Sequence, residues 1–342
     1  MPFLLLFLGL SLQVMRIGIL TSGGDAPGMN AAIRAAVRCG TDLGLEMIGI
    51  RRGFDGLIEG DSLPLDNRAV GGIIERGGTI LRTARSAAFL TPEGQKRALK
   101  QIRRHSLDGL IVIGGNGSLR GARWLCEHGV KAVGIPASID NDIPRTTMAM
   151  GVDTALNTVV ESLNRIRDTA ISHGRAFVVE VMGRKSGYIA LMGGLAGGAE
   201  VVLIPEVPLS LDEIATTVAD GLRRGKRHSI IVVAEGFSPT DRPLDGELSG
   251  HAVAAHLEEF GTIETRLTIL GHVQRGGSPT AFDRILASRL AAAAVSWLAR
   301  GETGVFAGLD RDKVVPVPLA AMDEKPENVD LDLYRLISVL AH

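Results

Sequence analysis

Cysteine is scarce in this sequence, with Cys39 and Cys126 the only two among 342 residues. Both fall in apolar, helix-like stretches without C-x-x-C spacing. They frame neither a disulfide scaffold nor a zinc site, and a reducing, cytoplasmic setting fits them best. Aromatic residues make up only 4%, which argues against a stacking platform for nucleic-acid bases. Net charge is lacking as well, since 37 Lys and Arg stand against 38 Asp and Glu. Such a chain carries no general basic field for nucleic acid, and any anion site in it must be local. Long hydrophobic runs are missing too. The apolar stretch at residues 1–14 is shorter than the ~20 residues of a membrane span, and it has neither a preceding Lys or Arg nor a small-residue cleavage site after it. Because Met15 stands directly before what reads as the first core strand, the stretch is read as an extension with no targeting role.

Glycine, by contrast, is abundant at 43 residues, and 45% of the chain is hydrophobic. The length suits about two domains, each with its own core. Short apolar runs rich in β-branched residues recur at 17–20, 47–50, 110–113, 132–135, 177–181, 201–204 and 229–234. Each is followed by a Gly-rich turn and then a helical pattern, which predicts parallel α/β architecture with helices on both sheet faces. Near Gly151 the pattern passes from a first α/β unit to a second, and Thr268–Arg275 reads as the return crossing. Ser238–Glu247 reads as a polar surface excursion. The expected fold is two Rossmann-like, three-layer α/β/α lobes with mostly parallel sheets and an active-site cleft between them. Ligands in such folds sit beyond the carboxyl ends of the strands.

Three strand-end loops stand out. The first strand runs into Thr21-Ser22-Gly23-Gly24-Asp25-Ala26-Pro27-Gly28-Met29-Asn30 and then into a helix. Adjacent glycines let backbone approach a ligand closely, and a helix N-terminus offers free N–H groups to phosphate. The Gly-Lys-Ser/Thr ending of a Walker A loop is missing, and a Gly-Gly pair alone is as readily a structural turn. Gly114-Gly115-Asn116-Gly117-Ser118 repeats the pattern after another strand. Pro136-Ala137-Ser138-Ile139-Asp140-Asn141-Asp142 follows a third and sets two carboxylates two residues apart, a spacing that suits a general base beside a metal or substrate ligand. Alone it is equally an Asx turn with solvated aspartates.

Together with these loops, Arg76–Arg85 (RGGTILRTAR), Glu180–Arg184 (EVMGR) and Gly271–Arg284 (GHVQRGGSPTAFDR) closely resemble the bacterial 6-phosphofructokinases in order and spacing, from about Met15 to the C-terminus. The resemblance implies transfer of a phosphoryl group from ATP, with Mg²⁺, to the 1-hydroxyl of fructose 6-phosphate in glycolysis. It implies a nucleotide-binding lobe at residues 15–151 with about 274–324, and a sugar-phosphate lobe at 152–273 with about 325–342. Asp140 matches the base that takes the hydroxyl proton and Asp142 its partner. Arg184 matches the arginine that meets charge building on the phosphoryl group, and Ser138 keeps the hydroxyl of the family's usual Thr. Nucleotide contacts carry over to Gly24, Arg85, Gly115, Asn116, Gly117 and Ser118. Sugar-phosphate contacts carry over to Ser138, Asp140, Asp142, Arg175, Met182, Gly183, Arg184, Glu235, Arg266, His272 and Arg275. In relatives the residues matching Arg175 and Arg266 come from a neighbouring subunit, which implies a homotetramer. Arg34, Arg38, Arg167, Glu200, Arg224, Lys226, Arg227 and His228 resemble an effector site for ADP or phosphoenolpyruvate between subunits.

Several positions depart from the family pattern. Asn116 stands where an Asp associated with the nucleotide's Mg²⁺ is usual, so the metal position of this chain falls on Asn116. Asn67 and Gly72 replace an Arg and an acidic residue near the effector set, and residues 144–151 (PRTTMAMG) replace a segment that usually carries Gly, Asp and an aromatic residue. Gly117 and Ala137 stand where pyrophosphate-dependent relatives carry Asp and Lys, which favours ATP as donor. The departures keep two alternatives open: a kinase using pyrophosphate or another sugar phosphate, and a weakly active nucleotide-binding paralogue.

Overall fold

The unbroken apolar runs become strands buried on both faces, as parallel sheets require; every residue of Gly109–Gly114, Ala132–Pro136, Ala176–Val181 and Ser229–Ala234 is buried. The computed structural model describes residues 14–261, 263–326 and 329–340. The extension expected at residues 1–14 therefore lies, except for Val14, outside the described residues.

The first half of the chain runs β1 (Arg16–Ser22), α1 (Met29–Asp42), β2 (Glu46–Ile50), α2 (Gly53–Glu59), β3 (Ser62–Leu65), α3 (Pro92–Arg104), β4 (Gly109–Gly114), α4 (Asn116–Glu127) and β5 (Ala132–Pro136). The second half begins with α5 (Val152–His173), β6 (Ala176–Val181), α6 (Tyr188–Ala196), β7 (Val201–Leu203), α7 (Leu211–Arg223), β8 (Ser229–Ala234), α8 (Ser249–Phe260) and β9 (Thr265–Ile269). It closes with α9 (Ala281–Ala299), β10 (Val305–Asp310), β11 (Lys313–Pro318) and α10 (Leu331–Leu340).

Two sheets result. The larger has the order β11-β10-β5-β4-β1-β2-β3, and the smaller, β7-β8-β6-β9, is parallel throughout. In the larger sheet only the edge strands β3 and β11 run antiparallel. Both contain proline, which edges tolerate because one side of the strand needs no ladder partner. Strand order reverses at β1, which pairs with β2 on one side and β4 on the other. The loops after β1 and β4 therefore diverge and open a crevice, the place where open α/β sheets bind ligands. Helix α1 packs along α9 on one face of this sheet, while α10 returns to pack on α6 and β7 of the other. The expected crossing at Thr268–Arg275 is divided, since β9 takes Thr268 and Ile269 and a 3₁₀ turn at Gly271–Arg275 carries the chain onward.

Candidate active site

A cavity of about 570 Å³ opens where the strand ends of the two lobes meet. Its floor is backbone. β1 ends at Ser22, and Gly23 takes a left-handed conformation at φ 89°, so the loop turns sharply without a Cβ penalty. The turn is pinned by the segment after β3: Thr83 donates to the Gly23 carbonyl at 2.9 Å and Gly23 N–H donates to the Ala84 carbonyl at 3.2 Å. That brings Arg85 to the cavity wall. Across from it, Gly115 is the N-cap of α4 and offers no side-chain cap, so the first N–H groups of the helix lack a side-chain acceptor where residues 115–118 line the cavity, an arrangement suited to phosphate oxygens. A Cβ at Gly117 would meet nothing within 4 Å, so the space beside this helix start is open. Ser118 is buried and donates to the Ser22 carbonyl at 2.9 Å, tying the two glycine loops together.

The third loop carries the acids. Asn141 adopts φ 47° between Asp140 and Asp142, a left-handed geometry Asn tolerates better than most residues. Its buried carboxamide donates to the Thr147 carbonyl at 3.2 Å and accepts from Ala149 N–H at 3.0 Å. Asp140 is 3% exposed, and its Oδ1 has no hydrogen-bond partner. Its Oδ2 lies 3.7 Å from Arg184 Nε. Burial raises the Asp140 carboxyl above its ordinary value, and the nearby charges of Asp142 and Glu235 add to that, while Arg275 and Arg184 pull it back. A poorly solvated carboxylate with one unpaired oxygen and a cation beside the other is what a general base requires.

Arg184 itself sits at φ 57°, after Gly183 at φ 148°. This strained turn holds because Glu235 Oε1 accepts from both Gly183 N–H at 3.2 Å and Arg184 N–H at 2.7 Å. Arg275 reaches across from the 3₁₀ turn, lining the cavity and donating to the Asp25 carbonyl at 3.2 Å. Asn116 donates through Nδ2 to the Asp142 carbonyl at 3.2 Å, which leaves its amide oxygen for a metal or its water shell. No cluster of three or more His, Cys, Asp or Glu able to hold a metal occurs among the described residues. Asn116 with the two aspartates still fits Mg²⁺, which keeps most of its coordination as water and nucleotide phosphate.

Eleven of the expected residues thus line one cavity: Gly24, Arg85, Gly115, Asn116, Gly117, Ser118, Ser138, Asp140, Asp142, Arg184 and Arg275. Others stand elsewhere. Met182 is buried in the apolar core, and Glu235 acts on the backbone of the Gly183–Arg184 turn. His272 is exposed on the 3₁₀ turn. Arg175 and Arg266 lie at the opposite ends of β6 and β9, where Ala176 pairs with Thr265. Glu264 bridges them, accepting from Arg175 Nε at 2.7 Å and also from Arg266. With β6 between them, Arg175 and the site are separated by roughly 20 Å of strand, and neither arginine reaches the cavity of its own chain. The effector set also divides. Glu200, Arg224, Lys226 and His228 line a second cavity of about 300 Å³, with Arg167 Nη1 4.0 Å from Glu200. Arg227 is exposed beside it. Arg34 and Arg38 lie on α1 of the other lobe, Arg38 in an opening it shares with Asn67.

Sequence reading missed the apolar wall opposite the glycine loops. Phe54 and Phe89 stack there at 4.1 Å between ring centres, flanked by Leu90 and Gln95. Gly121 makes room for them, because a Cβ on it would lie 2.5 Å from the Phe54 ring. Two isolated phenylalanines, thirty-five positions apart and in no motif, gave no signal in the sequence.

The family model described as phosphofructokinase matches residues 16–298. ATP-dependent 6-phosphofructokinase of Thermotoga neapolitana is 53% identical over 327 residues, covering 95% of this chain and 99% of the relative. ATP-dependent 6-phosphofructokinase 1 of Thermus thermophilus is 52% identical over 327 residues with the same coverage. Among solved structures, phosphofructokinase from Saccharomyces cerevisiae superposes with a TM-score of 0.84 at 35% identity, over 96% of this chain and 48% of the yeast chain. This chain thus spans about half the length of that yeast relative. A pyrophosphate-dependent phosphofructokinase from Nitrosospira multiformis superposes at 0.82 with 20% identity, over 96% of this chain and 92% of that one, and shares the fold.

Proposed function

The chain belongs to the phosphofructokinase family, and on that premise we propose that it transfers the γ-phosphoryl group of ATP to the 1-hydroxyl of fructose 6-phosphate, giving fructose 1,6-bisphosphate and ADP. The observation that carries the reading is Asp140, with one buried oxygen unpartnered and the other 3.7 Å from Arg184. The sugar hydroxyl donates to Asp140, which takes its proton as the oxygen attacks phosphorus. The bond from phosphorus to the bridging β,γ-oxygen breaks, and the electron pair leaves with ADP. Arg184 faces the equatorial oxygens, where charge spreads in the transition state, and its planar fork matches them. Little covalent chemistry falls to the protein beyond this, so positioning and electrostatics dominate.

The donor is held by backbone at Gly24 and at Gly115–Ser118, with Arg85 at the wall. The open space at Gly117 suits the α-phosphate of a nucleoside triphosphate, and Ala137 places no cation there for pyrophosphate. Asn116 and the two aspartates would hold Mg²⁺, which would supply charge neutralisation to the phosphates when bound. Residues 15–151 with about 274–324 form the donor lobe; residues 152–273 with about 325–342 form the acceptor lobe. Fructose 6-phosphate is met by Ser138, Gly183, Arg184, Glu235, His272 and Arg275, while Arg175 and Arg266 serve a neighbouring copy in a homotetramer. ADP or phosphoenolpyruvate fits the cationic cavity at Arg224, Lys226 and His228. No described helix is long and apolar enough to cross a membrane.

The test is initial-rate turnover of purified protein with fructose 6-phosphate and either Mg²⁺–ATP or Mg²⁺–pyrophosphate. Bisphosphate formed with ATP and not with pyrophosphate supports the reading. Turnover with pyrophosphate alone, or with neither donor, contradicts it.

A further inference from the structure

The chain passes between the two lobes at Gly151 and again near Thr280, and the helices that begin there, α5 and α9, lack a shared sheet. Their N-termini cap each other. Helix α5 starts after Gly151 at φ 100° with no side-chain cap of its own. Its cap comes from α9: Asp283 Oδ1 accepts from Gly151 N–H at 2.8 Å, and Oδ2 accepts from Thr154 N–H at 2.8 Å and the Thr154 hydroxyl at 2.5 Å. In return, Thr280, the N-cap of α9, donates through its N–H to Thr154 Oγ1 at 3.1 Å and through its hydroxyl to Asp153 Oδ2 at 2.6 Å. Asp283 N–H closes the ring on Thr280 Oγ1 at 3.2 Å. Asp283 is fully buried, and no substrate group reaches it.

Both exits from this ring lead to the reacting groups. On one side, Met150 directly precedes Gly151. Its N–H donates to the Pro136 carbonyl at 3.2 Å and its carbonyl accepts from Ser138 N–H at 3.2 Å, which is how the end of β5 is held. Ser138 Oγ then accepts from Asp140 N–H at 3.2 Å. On the other side, Thr280 lies five residues beyond Arg275, the cation that crosses to the Asp25 carbonyl and faces Asp140.

We propose that Asp283 is a positioning residue for phosphoryl transfer, holding the Ser138–Asp142 loop through Gly151 and Met150, and Arg275 through Thr280, so that base and cation keep their relative placement. Among the described residues, no other carboxylate accepts from both Gly151 and Thr154. Burial raises the Asp283 carboxyl above its ordinary value and its three donors pull it back only in part; Asp153, which itself accepts from the Thr280 hydroxyl, adds to the rise. The inference rests on the catalytic reading of Asp140.

The experiment compares wild type, Asp283→Asn, Thr154→Val and Thr154→Ser in kcat, in KM for each substrate, in the acidic limb of the kcat–pH profile, and in amide exchange at residues 136–142. Asp283→Asn places an NH₂ against the Gly151 or Thr154 donors. Its kcat is expected to fall about ten- to hundredfold, the scale of an ångström-level misplacement of reacting groups, with KM for ATP within about threefold. The acidic limb, set by Asp140 among Asp142, Glu235, Arg184 and Arg275, is expected to move, and exchange at 136–142 to quicken. Should Asp283→Asn fail to fold, Thr154→Val gives the same pattern more weakly, and Thr154→Ser, which keeps the hydroxyl, restores it. A folded variant with lowered Tm but unchanged kcat, acidic limb and exchange reduces Asp283 to a purely structural cap and overturns the proposal. A wild-type chain that forms no bisphosphate sinks the catalytic reading and this one with it, whereas an active wild type beside an equally active variant sinks this one alone.

Discussion

The two halves of the cleft are built on different terms. The donor half is finished within one chain: two glycine turns tied by Ser118 to Ser22, a helix start at Gly115, and the stacked Phe54 and Phe89 behind them all line one cavity. On the proposed assignment the acceptor half is incomplete within one chain. Arg184 and Arg275 are in place, but Arg175 and Arg266 sit at the far ends of β6 and β9 and are held there by Glu264. Backbone amides bind phosphate wherever a turn presents them, so one chain can supply them alone. In the proposed tetramer, cations recruited across an interface would make sugar-phosphate binding depend on assembly and link affinity to quaternary state. On the proposed assembly, regulation would act on acceptor affinity and leave the donor site intact.

Removing the base should have the largest effect on this comparison. Asp140→Ala is expected to lower kcat by about 10²–10⁴-fold, with nucleotide affinity, measured by titration calorimetry without Mg²⁺, nearly unchanged. Preserved turnover would remove Asp140 from the mechanism. Next is Gly117→Asp, which sets a carboxylate in the open space beside the helix start. Two like charges ~4 Å apart at an effective dielectric near 20 repel by about 4 kcal/mol, and screening reduces this, so kcat/KM for ATP should fall about a hundredfold with fructose 6-phosphate affinity retained. An unchanged ATP preference would mean that the triphosphate runs elsewhere.

Arg266→Ala should act on the other half alone. A charge-assisted hydrogen bond contributes about 1.5–3 kcal/mol, so KM for fructose 6-phosphate is expected to rise by about tenfold or more while KM for ATP holds; equal changes in both would break the division drawn above. The smallest effect concerns pH. The raised Asp140 carboxyl must be ionised to act, so kcat falls as pH drops through its shifted pKa. Asp142 is one of the charges that raise it. In Asp142→Asn that repulsion is gone and the acidic limb should move to lower pH, though burial, the larger cause, keeps it above an ordinary aspartate. A limb that moves upward would mean that Asp142 acts otherwise than by repelling charge.

How much of this was legible in the sequence follows the same division. Buried strands such as Gly109–Gly114 show as apolar runs, and the loops at Gly23, Gly115 and Asp140 show as motifs, because their chemistry is local to a few consecutive residues. Three of the four edge strands did not show, nor did β10, which lies inside the larger sheet. β3 (SLPL) and β11 (KVVPVP) carry proline, and β9 (TRLTI) places charge and hydroxyls in a strand with one free side, so none has the apolar run that marks an interior strand. Nor could the sequence reveal the reciprocal caps of α5 and α9, since Asp283 and Gly151 are 132 positions apart and meet only once both lobes have folded. Asn116 was legible as a departure, whereas its bond to the Asp142 carbonyl, which an aspartate could not donate, required the fold.

The account rests most heavily on an acceptor site completed by a second copy of the chain. Its most direct measurement mixes Asp140→Ala chains with Arg266→Ala chains, refolds them together, and reads bisphosphate formation from ATP at fructose 6-phosphate well below the wild-type KM, where Arg266→Ala alone is nearly silent. In a two-fold pair, random mixing gives mixed pairs half the time, and one of the two sites in each is then whole, with Asp140 from one copy and Arg266 from the other. The account therefore expects recovery to about a quarter of wild-type activity. Activity in the mixture no greater than the average of the two variants would show that each chain serves its own sugar phosphate, and would contradict it.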